Sequence, residues 1–459
     1  MTKTLAVAFM WSAIAGLFLM AGCSSDNDLI ETTSNRCSVT AVTLGGLKAY
    51  INTTTGAGHD TTFQTTVSGS YYRMQIDQRN RQIYNRDSLP MEVDLSKIVF
   101  SVFDADGTVV LRTLSGEDST FNMSDSIDFR TPRTFVVYST DGTARKDYTV
   151  TINAHKQDGD QFTWTKRVET HSDIAALESA KAIAGEDGLL RVFGVESGEA
   201  CVLTASLPRL NDWSRTLMTG EVSGFVPRSV LKTGERYYAT ADAGLVTSTD
   251  GVDWVAVTGG LPVVAASTDS LYALYNNGIH SSADGHSWTL NALDTPDALP
   301  AGDCVSICTP SVTYDDYEDL LLVGTRNGET VVWKRNLDRE NYNVFPWNYY
   351  TPSEENVYTL PVMSSTSLIA YDDRLLMFGL QPDGTLKVYI SSDGGRTWKD
   401  EYRDYTFPDV GRPSSLTVTA DADHHLWIVC AGSGDVWCGR LNKLSWEEDD
   451  GAFEKSIRQ

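Results

Sequence analysis

The sequence predicts an all-β chain of two globular parts behind an export leader, and three observations predict it. Residues 37 to 153 break into strand-like runs bounded by turn residues, with no helical periodicity of useful length. From residue 160 onward, a short apolar strand, a polar turn and a second apolar strand ending near glycine recur six times. Ten of the eleven tryptophans lie after residue 160, where each unit closes on one of them. The first pattern predicts a small β-sandwich and the other two a β-propeller.

In chain order, Lys3 is the only charge before an apolar run from Leu5 to Met20, followed by Ala21-Gly22-Cys23. A basic start, a short apolar stretch and small residues before a cysteine predict a signal peptide over residues 1–22 rather than a spanning helix. The ending resembles a bacterial lipobox, with Met20 where leucine is commonest, and implies Cys23 as the lipidated residue and an outer-membrane lipid anchor. Residues 23–36 form an acidic tether. Its Ser-Ser-Asp-Asn-Asp start at Ser24 is similar to the surface-export signals of Bacteroidota lipoproteins, which implies a chain facing the cell exterior.

The formal net charge is −24, from 61 acidic and 37 basic side chains. Such a surface repels phosphate backbones, so no nucleic-acid partner is expected. No Cys-x-x-Cys pair exists, and the cysteines show no metal-ligand spacing. Cys430 and Cys438 flank a tight turn, where either a disulfide or two buried thiols would fit. Cys304 and Cys308 share one strand and read as core.

Residues 37–155 carry about seven short strands, which suggests an immunoglobulin-like sandwich. Hairpin turns are expected at Asp104–Gly107 and Thr140–Gly142, and Thr149 to Ile152 alternates as a half-buried strand should. His155 to Gln161 is a polar linker. Beyond it, residues 160–459 form the propeller domain, whose units reach Trp213, Trp254, Trp288, Trp347, Trp398 and Trp446. A large ring at each outer turn fills the widening gap between blades. Six blades are expected. The leading segment with Trp164 either closes the ring as an outer strand or helps build a seventh blade with the tail from Gly451.

Three turns share one chemistry: Ser248-x-Asp250-Gly251 closing on Trp254, Ser282-x-Asp284-Gly285 closing on Trp288, and Ser391-x-Asp393-x-Gly395 closing on Trp398. Serine and aspartate side chains can accept from a turn's own amides, and glycine supplies a backbone angle other residues resist. The pattern resembles the Asp-box of sialidase-type propellers, which in that fold is structural. The whole arrangement resembles a Bacteroidota surface lipoprotein family of unknown function, with an immunoglobulin-like N-terminal domain and a sialidase-like propeller.

In a propeller, ligands sit where first strands begin and where second and third strands meet. Those connections hold Arg228, Asp303, Arg326 and Arg412, and the longest carries Tyr349, Tyr350, Glu354, Glu355 and Tyr358. Tyr402 and Tyr405 could add to an aromatic platform for sugar rings. By resemblance, a sialidase would need three arginines for the sugar carboxylate, an aspartate acid/base and a tyrosine nucleophile beside a glutamate. A guanidinium fork suits a carboxylate, yet no Arg-Ile-Pro stretch opens the first blade and no complete catalytic set is present. Adjacent His424 and His425 point apart on extended chain, so no metal is expected. No cofactor motif appears either: there is no phosphate loop and no Gly-x-Ser-x-Gly elbow. The expectation is a surface lipoprotein that binds a glycan or a surface protein partner without catalysis. The alternatives are a sialidase-like glycoside hydrolase with a divergent site, or a non-catalytic subunit of an outer-membrane nutrient-uptake assembly.

Overall fold

The computed structural model describes residues 33–54, 60–341, 343–350, 357–400 and 405–446. Cys23 and its leader, most of the tether, Glu354, Glu355, Tyr402 and the tail from Gly451 therefore lie outside the described residues. The chain forms two compact units, Met1–Asn85 with Asp94–Ile152 and Arg86–Val93 with Asn153–Gln459.

In the first unit a six-stranded sheet runs in the order Met74–Asp77, Gln82–Asn85, Arg145–Thr151, Arg133–Ser139, Gly107–Arg112, Asp118–Thr120. Val39–Leu44 pairs antiparallel with Phe100–Ala105 in a second sheet. Phenylalanines join the two: Phe103 stacks on Phe135 at 4.8 Å, and Phe100 meets Phe135 edge-on at 5.9 Å. Tyr148 and Val150 are fully buried while Thr149 between them is exposed, the period of two that the sequence carries. The Asp141 carboxylate accepts from the Ser139 hydroxyl and the Thr143 amide, and Gly142 takes φ +71° to complete that hairpin. One segment differs from the expected boundary. Arg86–Val93 groups with the second unit, because the Leu89 amide donates to the Asn153 carbonyl and its own carbonyl accepts from His155.

The second unit holds six sheets among its described residues. Blade I runs outward through Ser179–Ala184, Leu189–Glu196, Glu199–Ser206 and Ser214–Leu217, each antiparallel to the next. The inner strands of blades II to VI are Val226–Thr233, Val263–Ala266, Val305–Pro310, Ser364–Tyr371 and Ser415–Ala420. Each inner strand packs against the next, and the sixth returns to the first, so the ring closes. Phe162–Val168 pairs antiparallel with Asp435–Leu441 as the outer strand of blade VI. The leading segment thus joins the last blade and leaves no seventh sheet among the described residues.

Blades meet through apolar faces. Trp427, Val429 and Cys438 of blade VI pack on Leu190, Val192 and Leu203 of blade I. Trp254, Trp347 and Trp398 are fully buried, as are Trp333 and Trp427, and each large ring would cost about 3–5 kcal/mol to truncate to alanine. Polar groups are satisfied where inner edges run out of partners. Thr417 and Thr419 hydroxyls accept from the amides of Ala182 (3.0 Å) and Ala184 (3.2 Å), and Ser367 serves Val418 in the same way. One ion pair is buried in blade IV: Lys334 Nζ lies 2.6 Å from the Asp319 carboxylate, with side chains 9% and 2% exposed. Asn336 donates a second bond to that carboxylate at 2.7 Å.

Candidate functional site

The inner strands all begin at one end of the ring, and a cavity of about 290 Å³ opens there between blades IV and V. Its apolar surface comes from Val323, Leu360, Met363 and Met377, its hydroxyls from Thr325, Thr330 and Ser364 to Thr366, and its charges from Arg228 and Asp303. Arg228 belongs to blade II, on the opposite side of the ring from blade V. Its Nη2 donates to the Thr366 carbonyl at 2.7 Å, so the guanidinium spans the axis. It can do so because it stands on the inner strand itself, just after buried Pro227. Burial lowers the pKa of Arg228, and Asp303 opposes that effect.

The other two arginines lie elsewhere. Arg326 Nη1 donates to the Leu299 carbonyl at 2.7 Å and so ties down its own blade's entry loop. Exposed Arg412 lies along Gly384 on the turn of blade V. There the Thr385 hydroxyl holds the Asp383 carboxyl below its ordinary value, with a further contribution from Arg412. Of the residues expected at the site, Arg228 and Asp303 share the mouth cavity.

The tyrosines bind their own loops. Tyr349 packs on Trp333 with ring centroids 5.5 Å apart, and its amide donates to Asp294. The Tyr350 amide donates to the Val332 carbonyl and its ring sits 5.6 Å from the Arg396 guanidinium, while burial raises its hydroxyl pKa. Tyr358 accepts the Trp398 amide at its carbonyl and lies under Lys399 at 4.8 Å. Tyr405 is buried, with its hydroxyl on Asp372 at 2.5 Å.

The three Ser-Asp-Gly turns follow third strands, at the end of the ring away from the mouth. Ser391 Oγ donates to Asp393 at 2.9 Å and accepts from the Gly395 amide at 2.9 Å. Asp393 also accepts the Arg396 and Thr397 amides, and Trp398 Nε1 donates back to the Gly395 carbonyl at 2.9 Å. Ser248, Asp250, Gly251 and Trp254 repeat this set, as do Ser282, Asp284, Gly285 and Trp288. Gly395 is obligatory: at φ +90°, a Cβ there would lie 2.1 Å from Leu321 Cδ2.

At that far end a second cavity of about 450 Å³ is lined by Asp372, Asp373, Arg374 and His424. Its Asp372 is committed, to Arg374 at 2.8 Å and Lys443 at 3.2 Å. His425 turns instead to Asp421 (3.3 Å) and the Ser445 hydroxyl (3.2 Å), so the two histidines diverge. Cys430 and Cys438 are free, buried thiols. Register sets Cys430 opposite Asp435 and Cys438 opposite Trp427, and burial pushes their pKa up to about 12 and about 11. Burial likewise pushes Cys304 and Cys308 to about 12, where they pack on the core of blades III and IV. One axial residue carried no signal in the sequence: Lys181, on the inner strand of blade I.

Residues 158–449 match the DUF6242 β-propeller domain, and residues 42–152 match the DUF6242 N-terminal domain, a domain of unknown function. No curated protein matches the chain. Similar solved structures include a fungal lectin from Aleuria aurantia, described as a six-bladed β-propeller with a novel fucose recognition mode. It is 14% identical over 57% of this chain and 93% of its own, with a TM-score of 0.36. A GH74 xyloglucanase from Xanthomonas campestris is 16% identical over 69% of this chain and 51% of its own, with a TM-score of 0.34. A gluconolactonase from the same organism is 13% identical over 60% of this chain and 95% of its own, with a TM-score of 0.35.

Proposed function

The chain belongs to the DUF6242 family, and from that premise we propose that it is a cell-surface lipoprotein whose propeller binds a glycan at the mouth cavity without catalysis. The first unit, whose six-stranded sheet packs on the Val39–Leu44 and Phe100–Ala105 pair, serves in this reading as an immunoglobulin-like spacer behind an outer-membrane anchor at Cys23. One observation carries the glycan assignment. The mouth combines an apolar wall of Leu360, Met363 and Met377 with the Arg228 donor, the Asp303 acceptor and a row of threonine and serine hydroxyls. That mixture suits a sugar, whose CH face packs on apolar side chains while its hydroxyls take paired donors and acceptors. Among the described residues the lining holds a single carboxylate, Asp303, whereas hydrolysis by the usual routes needs two placed on either side of the scissile bond.

The test is a glycan array probed with the mature chain, followed by titration of the best hit. Arg228→Met and Asp303→Asn should each weaken that hit at least tenfold. Release of free sugar from the bound glycan, abolished by Asp303→Asn, would overturn the non-catalytic assignment. For the anchor, Cys23→Ala should abolish lipid labelling and free the chain from membranes. Persistent labelling would refute it.

A further inference from the structure

The axis of the propeller has a charge opposite to that of the protein around it. The six inner strands contain no aspartate or glutamate and three basic residues, Lys181, Arg228 and Lys232. This holds in a chain with 61 acidic and 37 basic side chains. Lys181 and Arg228 occupy the third position of their strands, and those strands are neighbours in the ring. Two bonds fix this level. Arg228 reaches Thr366, third in its own strand, and Thr417, also third, accepts the amide of Ala182 beside Lys181. Blades III and IV contribute Ala265 and Ile307 at the same position. Two cations therefore share a layer whose other members are neutral.

Among the described residues Lys181 has no hydrogen-bond or ion-pair partner. It is half-buried, so its side chain still meets solvent at the axis while protein surrounds most of it. Burial holds its amine down to about 8, and Arg228 adds repulsion. Lys232 is placed differently: it lies near the far end of its strand, with its ammonium 5.9 Å from the Tyr237 ring. Asp303 offsets part of the Arg228 charge from the mouth, but Lys181 feels only the repulsion of Arg228. Like charges in a confined, poorly solvated layer are costly until a further counter-charge arrives. A planar fork beside a point ammonium is a donor set for an oxyanion.

We propose that the neighbouring inner strands of blades I and II form an oxyanion site, holding a carboxylate or phosphate group between Lys181 and Arg228. The site requires no sugar at the mouth, so it stands whether or not the glycan assignment does. The experiment titrates the mature chain with sodium phosphate and, separately, sodium glucuronate at pH 7. Sodium chloride holds the ionic strength constant, so that non-specific screening cancels. Heat of binding and the thermal midpoint are read together. At least one anion should bind saturably, and Lys181→Met should weaken it at least tenfold, while Lys232→Met leaves it within twofold. Phosphate binding alone points to a phosphorylated or inorganic ligand, and glucuronate binding alone to an acidic sugar. A second readout is acetylation of wild-type Lys181 by acetic anhydride, mapped by mass spectrometry, which the bound anion should slow several-fold. It decides the matter should Lys181→Met fail to fold. The proposal is overturned if neither anion saturates, if folded Lys181→Met binds as well as wild type, or if the anion gives Lys181 no protection.

Discussion

Lys334→Met is the sharpest test of how the propeller manages buried charge. The substitution keeps the length of the stem but removes the ammonium 2.6 Å from Asp319, whose side chain is 2% exposed. Removing one member of a buried pair typically costs about 3–5 kcal/mol, because the other charge is left without compensation. Asp319 keeps its bond from Asn336, which places the expected loss near the lower end, about 3 kcal/mol. At about 2 °C per kcal/mol for a domain of this size, the thermal midpoint should fall by about 6 °C. The double variant Lys334→Met/Asp319→Leu should recover most of the loss, since an apolar pair of similar volume replaces a buried ion pair at little cost. Urea unfolding, followed by tryptophan fluorescence and circular dichroism with coincident transitions, measures Lys334→Met, Asp319→Leu and the double variant. A loss below about 1 kcal/mol for Lys334→Met, or a double variant as unstable as the sum of the singles, would refute the argument.

Three further outcomes are expected. Asp393→Ala removes the acceptor of the Ser391 hydroxyl and of two turn amides beneath Trp398; it should cost about 2–3 kcal/mol, read as a lower urea midpoint. On acidification, Asp250 and Asp284 should weaken their turns. The Asp253 and Ser287 amides, respectively, are the main cause holding these carboxyls below their ordinary value. Their contribution is therefore intact above about pH 4 and lost as pH falls through the lowered values. A midpoint that stays flat from pH 5 to pH 2.5 would contradict this. Cys430 and Cys438 should resist a thiol reagent at pH 8 in the native protein and react only on unfolding, and a reductant should leave the thermal midpoint unchanged. Rapid native labelling of either thiol would count against their buried, unpaired state.

Much of the ring was legible because each blade repeats a local grammar. The strand pairs, the Ser-Asp-Gly turns and the closing tryptophans lie within about fifty residues of one another, and short-range chemistry dictates them. The site was less legible. Arg228, Arg326 and Arg412 all read as connections at the mouth, yet Arg228 stands on an inner strand, where a side chain can reach the far wall. Arg326 is taken by a carbonyl of its own entry loop, a contact that spacing does not reveal. Lys181 was missed for the converse reason. Its strand reads as ordinary core, and its meaning comes from a layer assembled from six segments far apart in the chain. Tyr350 looked like a loop aromatic but is half-buried beside Lys334 and Arg396. In the first unit the alternation of Thr149 to Ile152 was readable, whereas the phenylalanine core and the transfer of Arg86–Val93 to the second unit were not.

The clasp between Phe162–Val168 and Asp435–Leu441 sets the order in which this molecule can be built. Thr163 bonds to Asn442 across 279 positions of sequence. At a synthesis rate of about 5–20 residues per second, the earliest strand waits roughly 15–55 s for its partner to emerge. Throughout that interval, its backbone donors and acceptors offer themselves to any passing strand. A stop codon in the last blade would thus remove more than one sheet: it would leave an open-ended stack with an adhesive edge at each terminus, a substrate for quality control rather than a shorter propeller.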